Sequence, residues 1–236
     1  MDWSQSLNAK IVRCRRCPRL VKWREEVARE KKREFRAWDY WGKAVPGFGD
    51  PNARVLIIGL APGAHGANRT GRMFTGDSSG KWLYRALHKA GFANQPSWEC
   101  RDDGMRLNDC YITAACHCAP PDNKPLPVEI ANCNGFLRVE LKQMRHVRVV
   151  IALGKIAFDT YCKTRGISPL PAFGHKRVFP CSRGVSRGRA EAYASATDPV
   201  LIASYHPSRQ NTNTGRLTEP MFDAVFAQAR ELLNSR

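Results

Sequence analysis

Two turns and a scatter of cysteines carry the chemistry available to this sequence. The first turn, "HPSRQNTNTGRL", places His206 directly after the apolar run "PVLIAS". An imidazole at a strand's carboxyl end can donate a hydrogen bond to an anion developing on a leaving group. Pro207 stiffens the turn, and Arg209 and Arg216 flank a run of Asn and Thr, Asn211 among them. Those groups can hydrogen-bond phosphates or base edges. A lone histidine is more often structural, so both readings of His206 stand on pattern alone. The second turn, "GLAPGAHGANRTGR" (59–72), leaves the apolar run "RVLII". It lacks the Gly-Lys-Ser/Thr of a phosphate-binding loop, and Gly59, Gly63 and Gly66 are spaced G-x-x-x-G-x-x-G, not G-x-G-x-x-G. Pro62 also removes a backbone donor, which argues against phosphate cradling. A ligand loop at a strand end and a purely structural turn both remain open.

The chain holds 9 cysteines. Cys14 and Cys17 form a C-x2-C pair with basic flanks, and no second such pair completes a zinc ribbon. In "CHC" an extended backbone puts Cys116 and Cys118 on one face and His117 on the other, so Cys116 rivals Cys118 as a ligand. Thiolates at Cys14, Cys17, Cys118 and Cys133 can hold a [4Fe–4S] cluster or zinc, and spacing does not choose between them.

These groups need a scaffold. At 236 residues with 43% hydrophobic content, the chain is long enough for a substantial core. Apolar strands at 54–59, 110–116, 147–154 and 199–208 alternate with helical patterns at 80–92, 126–144 and the C-terminus. Ser78 or Ser79 is the expected cap of the first of these helices, and Pro127 opens the second. The alternation predicts an α/β fold, a three-layer α/β/α sandwich on a mostly parallel sheet, as a single domain over 1–236. A basic helix is expected over 17–35, with Leu20, Val21, Trp23 and Val27 as its apolar stripe. Residues 165–199 read as irregular loop with one short strand near "HKRVFP". Lys and Arg number 38 against 21 Asp and Glu, a net +17, which attracts polyanions such as nucleic acid. The N-terminal sequence lacks a signal-like apolar segment and no run suits a membrane span, so the expectation is a cytoplasmic protein with reduced thiols and no membrane partner.

Four ordered motifs combine these features: "VPGFGDPNARVLIIGLAPGAHGANRTGRMFTGD", "CAPPDNKPLPVEIANC", "VIALGKIAF" and "SYHPSRQNTNTGRLT". Together they resemble the type B (family 5) uracil-DNA glycosylases, the iron–sulfur-containing members of the uracil-DNA glycosylase superfamily. The likeness runs from about Ile11 to the C-terminal helix. It implies excision of uracil, and of other deaminated bases such as hypoxanthine, from double-stranded DNA by a monomer. It also implies a [4Fe–4S] cluster on Cys14, Cys17, Cys118 and Cys133.

By the same resemblance, Phe74 stacks on a flipped base, and the loop with Gly59, Ala61, Gly63 and His65 contacts its edge. His206 hydrogen-bonds the departing base as charge develops. The loop bearing Arg209, Asn211 and Arg216 meets DNA, with Arg209 as the wedge. Leu60 and Ala61 stand where many relatives carry an acid or amide, and neither can orient water. Asp77 of "FTGD" is the carboxylate the resemblance offers instead, with Asn123 of "CAPPDNKP" as a second candidate. An Asp after Gly equally suits a helix cap, which would leave the water to Asn123. The alternative is a non-catalytic nucleic-acid-binding module with a structural metal or cluster.

Overall fold

The computed structural model of the protein describes residues 2–180 and 198–235. The helices are α1 (Trp3–Val12), α2 (Pro18–Glu30), α3 (Ala67–Thr70), α4 (Ser78–Lys89), α5 (Pro127–Gln143), α6 (Lys155–Arg165), α7 (Arg209–Asn213) and α8 (Glu219–Asn234). The strands are β1 (Phe48–Gly49), β2 (Val55–Gly59), β3 (Cys110–Ala114), β4 (Val149–Leu153), β5 (Val178–Pro180) and β6 (Val200–Ser204).

Strand composition dictates the layers. β2, β3, β4 and β6 are buried at every position, which a strand tolerates only when both faces of its sheet are covered. They pair in parallel in the order β3-β2-β4-β6, and the short antiparallel strands β1 and β5 close the two edges. Alternate side chains then serve opposite cores. Val55 and Ile57 of β2 face α4 and α8, where Leu83, Leu87, Phe222 and Phe226 pack with Ile112, Ile151 and Ile202. Leu56 and Ile58 face the other way, toward Leu137, Phe158 and Tyr161 of α5 and α6. Each such fully buried side chain contributes about 1.5–3 kcal/mol. The result is the expected α/β/α sandwich.

A third apolar group lies beside the sandwich. Leu7 and Ile11 of α1 and Leu20 of α2 pack on Cys116, Cys118, Cys133 and Phe136. Among the described residues, no helix is long and apolar enough to cross a membrane.

The sequence-based boundaries differ from these elements at several points. The basic helix ends at Glu30, since Lys31 sits at φ +56, and a separate 3-10 turn follows at Arg33–Phe35. Within that helix Arg24 takes the buried position, whereas Trp23 is only half-buried. α1 and β1 carry too few periodic positions to be read in advance, and α7 is five residues of Asn- and Thr-rich chain, weak helix formers. The expected strand in "HKRVFP" is the edge strand β5. Of the irregular stretch 165–199, residues 181–197, Cys181 included, lie outside the described residues.

Candidate active site

The carboxyl ends of a parallel sheet are where chains leave strands in loops that can converge on a ligand. Here the segments following β2, β3 and β6 enclose a cleft of about 700 Å³. Gly63, His65, Phe74, Asp77, Asn123 and His206 all line it, with Ala61, Ser208 and Arg209 along its walls.

Glycines decide how the first wall is built. β2 ends at Gly59, and the Phe74 ring lies so close that a Cβ there would sit 2.8 Å from its Cε2 and Cζ. Phe74 itself adopts φ +54, a left-handed conformation rare for a bulky residue and costing about 1–3 kcal/mol. Its surroundings hold it there. Tyr84 Oη donates to the Met73 carbonyl at 2.6 Å, Arg72 Nε to Thr75 Oγ1 at 2.7 Å, and Thr70 Oγ1 to the Thr75 carbonyl at 3.1 Å. Gly80 leaves room for the Phe74 carbonyl, which a Cβ at that position would strike. So placed, the Phe74 ring stacks with the His206 imidazole, centroids 5.8 Å apart at 28°.

Asp77 has two oxygens with separate tasks. Oδ1 accepts the Gly80 N–H at 3.1 Å, so Asp77, rather than Ser78 or Ser79, is the cap of α4. Oδ2 lies against the glycine loop, 2.7 Å from where a Cβ of Gly63 would be. Helix cap and cleft carboxylate are one residue. Burial pushes its pKa up, opposed by the Gly80 and Ser79 amides and by the charges of Arg209 and Arg69. The group is half-buried and lines the cleft.

His206 follows β6 and is fixed through its backbone. The Ser208 N–H and Asn211 Nδ2 both donate to its carbonyl, at 2.8 and 2.9 Å. Desolvation lowers its pKa to about 4, so the ring is neutral at pH 7 and retains an N–H to donate. Just before it, the Tyr205 N–H donates to His175 Nδ1 at 3.2 Å, and the His175 ring stacks on that of Tyr205.

The remaining sequence-selected residues fall into two groups. His65 and Asn123 belong to the cleft. His65 Nδ1 shares a 3.1 Å hydrogen bond with Tyr40 Oη, and Asn123 is exposed at φ +56 beside Asp122 at φ +53. Arg209 is exposed on the rim with Nε donating to Ser78 Oγ at 3.3 Å. The Arg216 guanidinium stacks 4.6 Å from the Tyr205 ring, and the Asn211 amide nitrogen is directed inward to His206.

The thiols gather beside the loop that follows β2, whose Ala61 packs on them from the cleft wall. Among the described residues, no three His, Cys, Asp or Glu side chains are disposed to hold a metal ion, and no disulfide joins the described cysteines. Cys14, Cys17, Cys116, Cys118 and Cys133 nonetheless share one apolar group. Arg24 tests what they suit. Its side chain is 1% exposed, donates from Nη1 to Cys118 Sγ at 2.9 Å and from Nη2 to the Cys14 carbonyl at 3.1 Å, and leaves Nε unpartnered. A buried guanidinium demands negative charge, which neutral thiols do not supply and metal-bound thiolates do. The donor set therefore fits an anionic thiolate-held group. Cys116 Sγ lies 4.0 Å from Cys133 Sγ, so its rivalry with Cys118 persists in three dimensions.

Sequence reasoning missed Arg24, Arg69, Tyr40 and His117. Arg24 sits within an apolar stripe, where a charge is ordinarily solvated. Arg69 and Arg72 of "NRTGR" are both buried, and nothing in their spacing marks Arg69 as the one bonded to the His65 and Gly76 carbonyls.

Comparison with known proteins accords with this geometry. Residues 46–230 match the model of the uracil DNA glycosylase superfamily. A type-5 uracil-DNA glycosylase of Thermus thermophilus is 49% identical over 222 residues, covering 94% of each chain. One from Mycobacterium tuberculosis is 48% identical over 229 residues, 96% of this chain and 80% of that protein. One from Pyrobaculum aerophilum is 43% identical over 227 residues, 96% of this chain and 92% of that protein. With an α/β/α sandwich, a cleft at the strand ends and likeness along almost its whole length, the chain belongs to the uracil DNA glycosylase superfamily, among its type-5 members.

Proposed function

We propose that this protein excises uracil from double-stranded DNA by hydrolysing the N-glycosidic bond, leaving an abasic site. The observation that carries this reading is the meeting of Phe74, Asp77 and His206 in one cleft. A base buried in a duplex cannot reach such a cleft, so the nucleotide is flipped out to enter it. Phe74 offers an aromatic face for the flipped ring, and the backbone of 59–65 offers hydrogen bonds to its edge.

The C1′–N1 bond breaks with its electron pair moving onto the base. Neutral His206 donates to the uracil O2 as that charge grows, an interaction strongest in the transition state. Water then bonds to C1′, and its proton is released toward Asp77 Oδ2 and ultimately to the base anion. Asp77 also stabilises the cationic sugar while Oδ1 stays on Gly80. Asn123, across the cleft, is assigned to orienting the water or the base. Arg209 on the rim fills the duplex where the base has left. The apolar Leu60 and Ala61 impose few fixed hydrogen bonds, which fits a wider range that includes hypoxanthine. Action as a monomer associated with the nucleoid completes this reading.

In the same reading Cys14, Cys17, Cys118 and Cys133 hold a [4Fe–4S] cluster, with Arg24 as its buried countercharge. Bound there, the group ties α1 and α2 to the segment 116–133 as a structural clamp.

The test is incubation with a duplex oligonucleotide carrying one uracil, assaying free base and abasic sites. Release of uracil is expected, and a protein that binds the duplex without releasing base would leave only a binding module. Protein purified anaerobically should contain iron and acid-labile sulfide, and active protein lacking both would remove the cluster from the reading.

A further inference from the structure

Among the described residues, the buried Arg69 guanidinium bonds both to the glycine loop after β2 and to the turn before Asp77. Its side chain is 3% exposed. Nε donates to the His65 carbonyl at 2.8 Å, on the glycine loop after β2. Nη2 donates to the Gly76 carbonyl at 2.9 Å, one residue before Asp77. The fork reaches Gly76 only because that residue lacks a Cβ, which would sit 2.6 Å from Nη2. Phe35 and Trp38 cover the guanidinium, their ring centroids 3.9 and 4.0 Å from Cζ. Nη1 is buried without a partner. A cation kept so dry, with no carboxylate bonded to it among the described residues, needs negative charge nearby, and its field is little screened by water.

We propose that Arg69 is a positioning residue for Asp77, locking the turn 74–77 against the loop 63–66 and supplying a fixed positive charge that favours its carboxylate form against burial. This rests on the reading of the cleft as a uracil-excising site. The charged groups acting on Asp77 are Arg209 on α7 and Arg69 on α3, and the titratable His206 after β6 and His65 after β2 line the same cleft. Lys32, Glu34, Asp122 and Lys124 stand farther out around the same cleft. Of these, Arg209 is exposed and screened by solvent, whereas Arg69 is sealed. The same bonds hold the geometry on which the carboxylate depends, and one side chain therefore sets both place and charge.

Two substitutions separate the two tasks. Arg69→Met removes charge and fork, and Arg69→Lys keeps the charge but cannot span both carbonyls. The direct readout is the Asp77 carboxyl titration by 13C NMR, which needs no turnover, set beside the pH profile of single-turnover uracil excision. In Arg69→Met the Asp77 titration should move up by about one unit, with excision on the acid side of the profile falling about tenfold further than at alkaline pH. In Arg69→Lys the titration should stay near wild type while excision slows at every pH. A folded Arg69→Met protein whose Asp77 titrates as in wild type overturns the proposal. Should that variant not fold, Trp38→Ala admits water to the guanidinium, and the same upward movement, smaller, is expected; an unmoved titration there overturns it equally. Wild-type protein inactive on uracil-containing DNA would instead strike the functional reading, leaving the titration to judge Arg69 on its own.

Discussion

The cleft and the thiol group are built from similar parts and put them to opposite use. Each contains an imidazole that burial lowers to about pKa 4, His206 in the cleft and His117 among the cysteines. Each also contains a buried arginine with an unpartnered nitrogen, Arg69 and Arg24. His117 is fully buried, bonded through Nδ1 to the Val45 carbonyl at 2.7 Å and set edge-on to Phe136. His206 is held by its backbone, and its ring lines the cleft beside Phe74. Desolvation alone thus does not mark a functional histidine. What distinguishes the two is whether the ring is bound into the fold or turned toward a space a substrate can enter.

The widest separation of the two regions should come from single-turnover excision. His206→Ala is expected to lose about 10²–10³-fold, the scale of removing one donor to a developing anion. Asp77→Asn should lose a comparable factor, about 10²–10⁴-fold, while the cap to Gly80 survives. Because burial raises the Asp77 pKa, folding disfavours its ionised form, so the same amide should raise the melting temperature at neutral pH. His117→Ala should leave the rate within a few-fold of wild type and lower the melting temperature instead. A rate collapse in His117→Ala with a fast His206→Ala would invert the comparison.

Backbone geometry gives the next effect. Gly80→Ala drives a methyl into the Phe74 carbonyl and should cost about 3 kcal/mol in denaturant unfolding. Phe74→Ala keeps the strained φ +54 backbone and should cost less stability than Gly80→Ala, yet weaken binding of uracil-containing DNA by about 10–100-fold in titrations. Equal damage to stability from both would mean that Phe74 is a core residue only.

In the thiol region, on the proposed cluster reading, Cys118→Ala should lose iron, leave Arg24 without its countercharge and destabilise the fold by about 2 kcal/mol or more. The acid limb of the excision profile should not move, since among the described residues the groups that act on Asp77 are Gly80, Ser79, Arg209 and Arg69 rather than this cluster. A shifted limb would couple the regions that the comparison separates.

The smallest effect is the pH dependence of stability. Both histidines have folded pKa values of about 4 against an ordinary 6.5, so the unfolded chain takes up protons first as pH falls. Stability is full above about pH 6.5 and declines toward pH 4, by about 1 kcal/mol per histidine between pH 6.5 and 5.5. His117→Asn should flatten part of that slope in urea melts at several pH values, and an unchanged slope would mean that His117 is not desolvated in the folded protein.

Much of this was legible along the chain because it depends on local pattern. Unbroken aliphatic runs at 55–59, 149–153 and 200–204 require a sheet covered on both faces, and helical spacing between them supplies the covers. The glycine spacing and Pro62 argued against a phosphate cradle, and ordered motifs named the family. Residues whose function depends on the meeting of distant segments were not legible. The choice posed for Asp77, cap or cleft, had no answer in sequence because both tasks use the same side chain and differ only in which oxygen is counted.

Sequence by itself therefore determined the layers, the family and the residue types able to react, since hydrophobic periodicity and motif order are properties of neighbours in the chain. Tertiary structure alone decided which arginines are dry, which histidine faces a cleft and how Phe74 comes to lie on both Gly59 and His206. Burial and electrostatic field arise from everything packed around a group, and most of what surrounds Asp77 and Arg24 comes from other parts of the chain.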